Sequence, residues 1–265
     1  MVVGTQGWNY PSWVGPFYPE GTRGEDYLRL YSRVFQTVEI DSTFYAVPQE
    51  KTVRGWAAKV GDAFRFSLKL PQEITHVRRL VDCRDVLDEF AAAARALGPK
   101  LEAVLIQLGP DFGPEQRPAL ERFIPLLPVD IRFAIEFRRP GLLIRPVLDL
   151  LHAHRVAVAL VEGRWIARAK MLRMAESPTA DFAYVRFMGP DRRIEDFSRV
   201  QVDRSAELGQ WASVLARLAG QVQRVNVYVN NHFEGHSPAT ARRLQEALGT
   251  RPVELSVLRD QAELF

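Results

Sequence analysis

Thr37-Val38-Glu39-Ile40-Asp41-Ser42-Thr43-Phe44-Tyr45 is the stretch on which the reading of this chain turns. Val38 and Ile40 alternate with Glu39 and Asp41, so the segment reads as a strand with one apolar and one acidic face. Such a strand is either a half-solvated edge or the lining of a site. The neighbouring segments decide between the two.

On the N-terminal side, Val2 to Thr5 reads as a short strand, followed by a loop rich in aromatics, Gln6-Gly7-Trp8-Asn9-Tyr10-Pro11-Ser12-Trp13. Tyr27, Leu28, Leu30, Tyr31, Val34 and Phe35 then recur at helical spacing. On the C-terminal side, a helix over about 50–60 carries Val53, Trp56, Ala57 and Val60 on its apolar face. Phe64, Phe66, Leu68 and Leu70 alternate with Arg65, Ser67 and Lys69 in a strand that Pro71 ends. Thr75, His76, Arg78 and Arg79 read as a polar loop before an Ala-rich helix closed by Gly98-Pro99.

Further strands are expected at 102–108, 131–137, 155–161, 182–188 and 224–230, alternating with helices at 114–124, 142–153, 206–219 and 238–248. Residues 162–177 carry neither period cleanly, and 189–203 form a charged loop.

Strands thus alternate with helices about eight times, without a break in composition, which implies parallel βαβ units. Eight such units in 265 residues are the size of one closed TIM-type (β/α)8 barrel. The predicted fold is therefore α/β, with residues 1–265 as a single barrel domain and 250–265 as a C-terminal extension or tail. An open doubly wound sheet is the competing architecture. It is weakened because no Gly-rich dinucleotide or phosphate-cradling motif follows any strand.

A content of 47% hydrophobic residues is ample for such a core. The net charge of +3 permits a polyanionic partner without demanding one. A lone cysteine, Cys83, excludes an internal disulfide or a cysteine-built zinc site and reads as an inert structural thiol. The opening Met1-Val2-Val3-Gly4-Thr5 lacks a secretion signal, and no apolar run reaches the roughly 18 residues of a membrane span. The expectation is a cytoplasmic protein with no membrane partner.

In a barrel, chemistry sits at the C-terminal ends of the strands. If the apolar faces pack on helices, the opposite faces point Glu39, Asp41, Ser67, Lys69, Gln107, Glu136, Arg138, Tyr184, Arg186, Asn226, Tyr228 and Asn230 at the axis. Charges are rarely buried unless paired, so this set is either a self-satisfied ion network or a ligand site. Barrel axes are usually filled by branched apolar side chains, which favours the site.

Glu39, Asp41, Lys69 and Glu136 are accordingly the expected catalytic groups. Trp8, Tyr45, His76, Gln107, Arg138, Arg186, Asn230, Asn231 and His232 are the expected substrate-binding groups.

Structural alternatives stand beside these roles. Lys69 can simply neutralise Asp41. Arg138 and Arg186 can pair with Glu136 and Glu39, or clamp an anion through their planar forked donors. Trp8 and Trp13 can cap the barrel. His152 and His154 read as surface residues. His76 and His232 follow strand ends, and with Asp41 or Glu136 could hold a divalent metal. No H-E-x-x-H or Cys/His signature supports that, so no metal and no cofactor is expected.

Gly4-Thr5-Gln6-Gly7-Trp8-Asn9-Tyr10 resembles a family opening of the form G-T-S-G-W-x-Y, and Thr37 to Tyr45 resembles T-V-E-I-N-S-T-F-Y. The series continues in order with Ile74-Thr75-His76, Arg79-Leu80, Leu105-Ile106-Gln107-Leu108-Gly109-Pro110 and Ala134-Ile135-Glu136-Phe137-Arg138. Tyr184-Val185-Arg186-Phe187-Met188-Gly189 and Val229-Asn230-Asn231-His232 complete it. Together these are similar to the YecE-like family, domain of unknown function seventy-two, over nearly the whole chain. The resemblance implies a TIM-type barrel, in agreement with the strand count. Two positions depart from the family pattern: Asp41 stands where Asn is usual, and Met188 where His is common.

Three function classes follow. The first is an enzyme whose barrel-mouth carboxylates transfer protons to or from an anionic, possibly phosphate-containing, substrate held by Lys69, Arg138 and Arg186. A retaining glycosidase fits poorly, because Gln107 and Arg186 occupy the strands where such barrels often carry their acids. The second is a nucleic-acid-binding or processing protein, suggested by Arg78-Arg79, Arg192-Arg193 and the aromatics. The third is a noncatalytic small-molecule binder. Finally, Gln261-Ala262-Glu263-Leu264-Phe265 resembles the peptide that docks on bacterial sliding clamps, with Leu264 and Phe265 as anchors.

Overall fold

Eight parallel strands close into a barrel in the order in which they occur in the chain. The computed structural model describes residues 1–259. The strands are β1 (Val2–Gln6), β2 (Thr37–Ile40), β3 (Arg65–Lys69), β4 (Leu101–Gln107), β5 (Phe133–Glu136), β6 (Ala157–Gly163), β7 (Phe182–Gly189) and β8 (Arg224–Val229). Between and after them lie α1 (Tyr27–Val34), α2 (Glu50–Ala58), α3 (Arg84–Arg95), α4 (Arg117–Phe123), α5 (Arg145–Ala153), α6 (Arg168–Met174), α7 (Ser205–Ala219), α8 (Asn231–Glu234) and α9 (Ser237–Ala247). The TIM-type barrel read from the alternation of strands and helices is the fold. Because β1 pairs with β8 through Val2↔Asn226 to Thr5↔Val229, no strand is left as an edge.

Period-two alternation separates the two faces of every strand. Val38, Ile40, Phe66, Leu68, Val104, Ile106, Ile135, Val185, Phe187, Val225 and Val227 belong to the large core between strands and helices. A second, smaller cluster fills the barrel itself: Ala103, Leu105, Ala134, Ala157, Ala159, Phe182, Tyr184 and Tyr228. The alanines of β4, β5 and β6 leave room that the rings of β7 and β8 occupy, with Tyr184 and Tyr228 centred 5.1 Å apart. Each such ring contributes roughly 1.5–3 kcal/mol on burial. The Tyr228 hydroxyl is satisfied by Ser67 Oγ at 2.7 Å and Thr37 Oγ1 at 3.0 Å, as a buried phenol must be. Gly4 makes this closure possible, since a Cβ there would collide with the Thr37 carbonyl.

Several local expectations change. Residues 114–124 divide into a 3-10 turn, Pro114–Gln116, and α4. The polar loop around His76 is a π-helix, Glu73–Val77. The ambiguous stretch 162–177 becomes the end of β6 and α6. Within the expected C-terminal extension, a 3-10 turn at Leu255–Leu258 packs on α1 and buries Leu258. The clamp-like peptide Gln261–Phe265 lies outside the described residues. Among the described residues, no helix is long and apolar enough to cross a membrane. Burial pushes the Cys83 thiol up to about 11, so it stays protonated and unreactive at neutral pH.

Candidate functional site

The side chains that the strand pattern aims inward meet above the aromatic plug. At their centre Arg186, with no exposed surface, bridges the two buried carboxylates Glu39 and Glu136. Its Nη2 donates to Glu39 Oε1 at 2.7 Å, its Nε donates to Glu39 Oε2 at 3.0 Å, and its Nη1 donates to Glu136 Oε2. The remaining carboxylate lone pairs are filled by neighbours. Tyr184 Oη donates to Glu39 Oε2 at 2.6 Å, Gln6 Nε2 to Glu39 Oε1 at 2.8 Å, and Gln107 Nε2 to Glu136 Oε1 at 2.8 Å. Asn230 in turn donates to Gln6 Oε1.

One guanidinium serves two carboxylates, and their surroundings divide its influence unequally. Burial raises the Glu39 carboxyl, and Asp41 adds to that, against the opposing pull of Arg186. Burial would raise Glu136 as well, but Arg186, Arg138 and Lys69 together hold it below its ordinary value. Arg186 is itself locked in the charged state: burial opposes the charge, and the Glu39 and Glu136 carboxylates outweigh it.

Of the two parts open to Arg186, the contacts match the pairing with Glu39 and Glu136. With every contact directed inward and no exposure, it holds the carboxylates in place and does not reach for a ligand. Glu39 is equally enclosed, so its place is in the frame of the site.

Above the triad the groups are less well satisfied. Asp41 Oδ1 is buried without a hydrogen bond, and Lys69 Nζ lies 3.7 Å from it, too far for one. Arg138 Nε is likewise buried without a hydrogen bond, because its contact with Glu136 Oε1 is 3.6 Å long. Arg138, Glu136 and Gln107 line a 280 Å³ cavity open to solvent, whose other lining residues include Arg164, Trp165, Met188, Asp191 and Arg192.

The Ser-Thr-Phe-Tyr sequence after β2 has a positioning role. Thr43 Oγ1 donates to the Lys69 carbonyl at 2.7 Å and accepts from its amide at 3.0 Å. Phe44 lies over the Lys69 amine, 3.9 Å from nitrogen to ring centre.

His76 reaches the same region from the π-helix, its ring edge-on to Phe44 at 5.0 Å and its Nδ1 2.8 Å from Thr75 Oγ1. Burial first, then Arg138 and Lys69, lower its pKa, so the ring is neutral at pH 7. The turn that follows holds Arg79, Leu80 and Asp82 at positive φ, a concentration of unfavourable backbone that accompanies functional loops. Arg79 pairs with Asp111, which ties this loop to the one after β4.

The other expected ligand-binding residues vary in their distance from this cavity, and His232 lies beside its Gly189 wall. Tyr45 is 72% exposed and points outward. Trp8 packs edge-on to Trp56 at 6.2 Å, at the rim. His232 rests against Phe197 at 5.1 Å. Asn231 is buried, and its Oδ1 accepts from the amide and hydroxyl of Ser237 at 2.9 and 2.8 Å, so it joins α8 to α9 and does not face the mouth.

Conversely, Arg164 and Trp165 line the cavity from a loop whose course strand periodicity does not reveal. Gln6 was within reach of that method, as it lies two residues beyond Gly4 on the same face of β1. Among the described residues, no group of three or more His, Cys, Asp or Glu side chains is placed to hold a metal ion.

A closed barrel of eight parallel strands defines a TIM-type barrel protein, and its polar C-terminal mouth is the candidate site. The chain belongs to the family described as protein of unknown function DUF72, whose model matches residues 2–263. It is 28% identical to the UPF0759 protein YecE of Escherichia coli O157:H7, with 80% of this chain and 82% of that protein covered. It is 25% identical to the UPF0759 protein YunF of Bacillus subtilis strain 168, with 94% of each covered. Among solved structures, a DUF72 family protein of Thermotoga maritima MSB8 superposes with a TM-score of 0.79 at 24% identity, covering 94% of this chain and 98% of that one.

Proposed function

We propose that this protein is an enzyme that binds a small anionic substrate at the barrel mouth and transfers a proton there. The observation that carries the reading is the Arg138 guanidinium, whose Nε is buried without a hydrogen-bond partner beside a cavity that Arg192 also lines. A buried donor without a partner costs about 1–3 kcal/mol, and an anion in the cavity would recover it. Asp41 is the acid/base group: its Oδ1 accepts no hydrogen bond and lies 3.7 Å from the Lys69 amine. Glu39 and Glu136 are held by Arg186 and supply the fixed electrostatic frame. His76, neutral and adjacent, is the second group able to exchange a proton.

The arginine pairs favour a small anion over a nucleic acid. Arg78 is engaged by Glu73 and Asp85, Arg79 by Asp111, and Arg192 turns into the cavity. Thermal unfolding with inorganic phosphate, sulfate and succinate tests the reading. A saturable rise in Tm that Arg138→Met abolishes is the expected result. Equal response of both proteins, or none by either, rejects it.

A further inference from the structure

The acid/base reading leaves one group at the mouth without a task, the amine of Lys69. The other lysines are ordinary. Lys51 and Lys59 are exposed, Lys100 Nζ donates to the carbonyls of Ala57 and Val60 at 2.8 Å each, and Lys170 Nζ donates to the Pro140 carbonyl at 3.0 Å. Lys69 alone is buried, and among the described residues its amine has no hydrogen bond. The amine is held between the face of Phe44 and the Asp41 carboxylate, and its own peptide is fixed by Thr43.

A structural lysine would use its three donors. This one is desolvated, rigidly placed, and beside a carboxylate whose side chain is 40% exposed and therefore open to the mouth. Burial lowers the ammonium pKa and Arg186 lowers it further, against the opposing charges of Asp41, Glu136 and Glu39. Desolvation next to another cation is what turns a lysine into a nucleophile at neutral pH.

We propose that Lys69 forms a Schiff base with the carbonyl carbon of the substrate, so that the substrates are aldehydes or ketones carrying a carboxylate or phosphate. The inference rests on the reading of the mouth as an anion site, since Arg138 and Arg192 would hold the charged end. Asp41 removes a proton from the ammonium, and the freed amine attacks the carbonyl carbon. A C–N bond forms, the π electrons move to oxygen, and one nitrogen proton follows them to give a carbinolamine. Asp41 then returns its proton to that hydroxyl, the C–O bond breaks, and water leaves a protonated imine. The net change is ammonium plus carbonyl to protonated imine plus water, with no oxidant or reductant.

The test is reductive trapping of the intact protein at pH 7 with sodium cyanoborohydride, using glyoxylate as an anionic aldehyde and acetaldehyde as a neutral one, followed by peptide mapping. Lys69 is expected to be alkylated several-fold faster than exposed Lys51 and Lys59 with either aldehyde, because a lowered pKa raises the neutral fraction at pH 7. Glyoxylate is expected to be preferred over acetaldehyde at Lys69 alone, and inorganic phosphate to slow only its glyoxylate reaction. Arg138→Met is expected to remove that preference, with cooperative thermal unfolding of the variant as the separate check that it is folded.

Labelling of Lys69 no faster than Lys51 with both aldehydes overturns the proposal. If phosphate still raises the Tm in that case, the anion site survives and only the Schiff base falls. Fast labelling without a glyoxylate preference has the opposite meaning: Lys69 is a nucleophile, and the anion site is wrong.

Discussion

The two ends of this barrel are built from the same residue types and differ in how completely those residues satisfy one another. At the N-terminal end, a 770 Å³ cavity is lined by Glu102, Asp130, Arg132, His154 and Arg155, among others. The mouth cavity at the C-terminal end is 280 Å³. Volume alone would favour the N-terminal end. The N-terminal carboxylates are hydrogen-bonded: Glu102 accepts from Arg224 Nε at 2.9 Å and from Asn226 Nδ2 at 3.1 Å, and Arg95 holds Asp130 through two bonds of 2.8 Å, while Arg132 stands 3.9 Å from Glu102. At the mouth, Asp41 Oδ1 and Arg138 Nε are buried without a hydrogen bond, their ion-pair contacts being 3.7 and 3.6 Å long, and the π-helix and three left-handed residues follow β3. Unmet hydrogen-bonding capacity, more than size, distinguishes a site from a gap between splayed helices.

The contrast can be broken most severely at Arg186. Arg186→Met leaves Glu39 and Glu136 facing each other without their shared cation, and is expected to cost about 3–5 kcal/mol in urea unfolding. A loss below about 1 kcal/mol would mean that the triad is not the keystone of the mouth.

Arg138→Met is the converse case. Because Arg138 forms no good hydrogen bond, stability should hold within about 1 kcal/mol. Anion affinity should fall roughly 10- to 100-fold, the value of about 1.5–3 kcal/mol for a bond to a charged group. Isothermal titration with phosphate measures it.

Glu102→Gln sharpens the comparison from the other end. It should cost about 1–2 kcal/mol, discounted because Arg224 is one-third exposed, and should leave phosphate affinity unchanged. A change in affinity would bring the N-terminal cavity back into consideration.

Two smaller effects depend on pH. The folded pKa of Glu136 is depressed, so its contribution to stability is complete above the unfolded value of about 4.3 and is lost as pH falls through the folded value. Glu136→Gln should therefore flatten the acid limb of stability against pH below about 4.3. Lys69 has the opposite sign of charge and a lowered pKa, so the folded state binds fewer protons than the unfolded state between the folded value and about 10.4. Stability from this group rises with pH across that window. Lys69→Met should remove the rise and at pH 7 leave the protein as stable as before or slightly more so. A clear loss of stability in Lys69→Met would make Lys69 a structural ion-pair partner of Asp41.

The faces of the strands were legible because a period of two is a local property. Val38 and Ile40 face the helices, while Glu39 meets Arg186 in the buried triad and Asp41 lies beside Lys69 above it. Arg186 was legible as an axial residue but not in its role, since both a pairing and a clamping geometry suit a guanidinium at that position. Asn231 looked like a mouth residue because it follows Asn230. The chain turns there into α8, and the side chain folds onto Ser237. The π-helix that carries His76 left no readable period, and its setting depends on Arg79 meeting Asp111 from another loop.

The sequence by itself determined the barrel, the facing of each strand and the set of polar residues at its axis, because hydrophobic alternation and βαβ order act over short spans of chain. Only the tertiary structure decided which of those residues are satisfied. Glu39 and Arg186 are 147 positions apart and meet only when the sheet closes. Whether a buried charge is paired or left waiting is set by distances across that closed ring. The stretch from Thr37 to Tyr45 shows both sides. Its alternation places Glu39 and Asp41 on one face, and closure of the barrel gives the first its cation and leaves an oxygen of the second without a hydrogen bond.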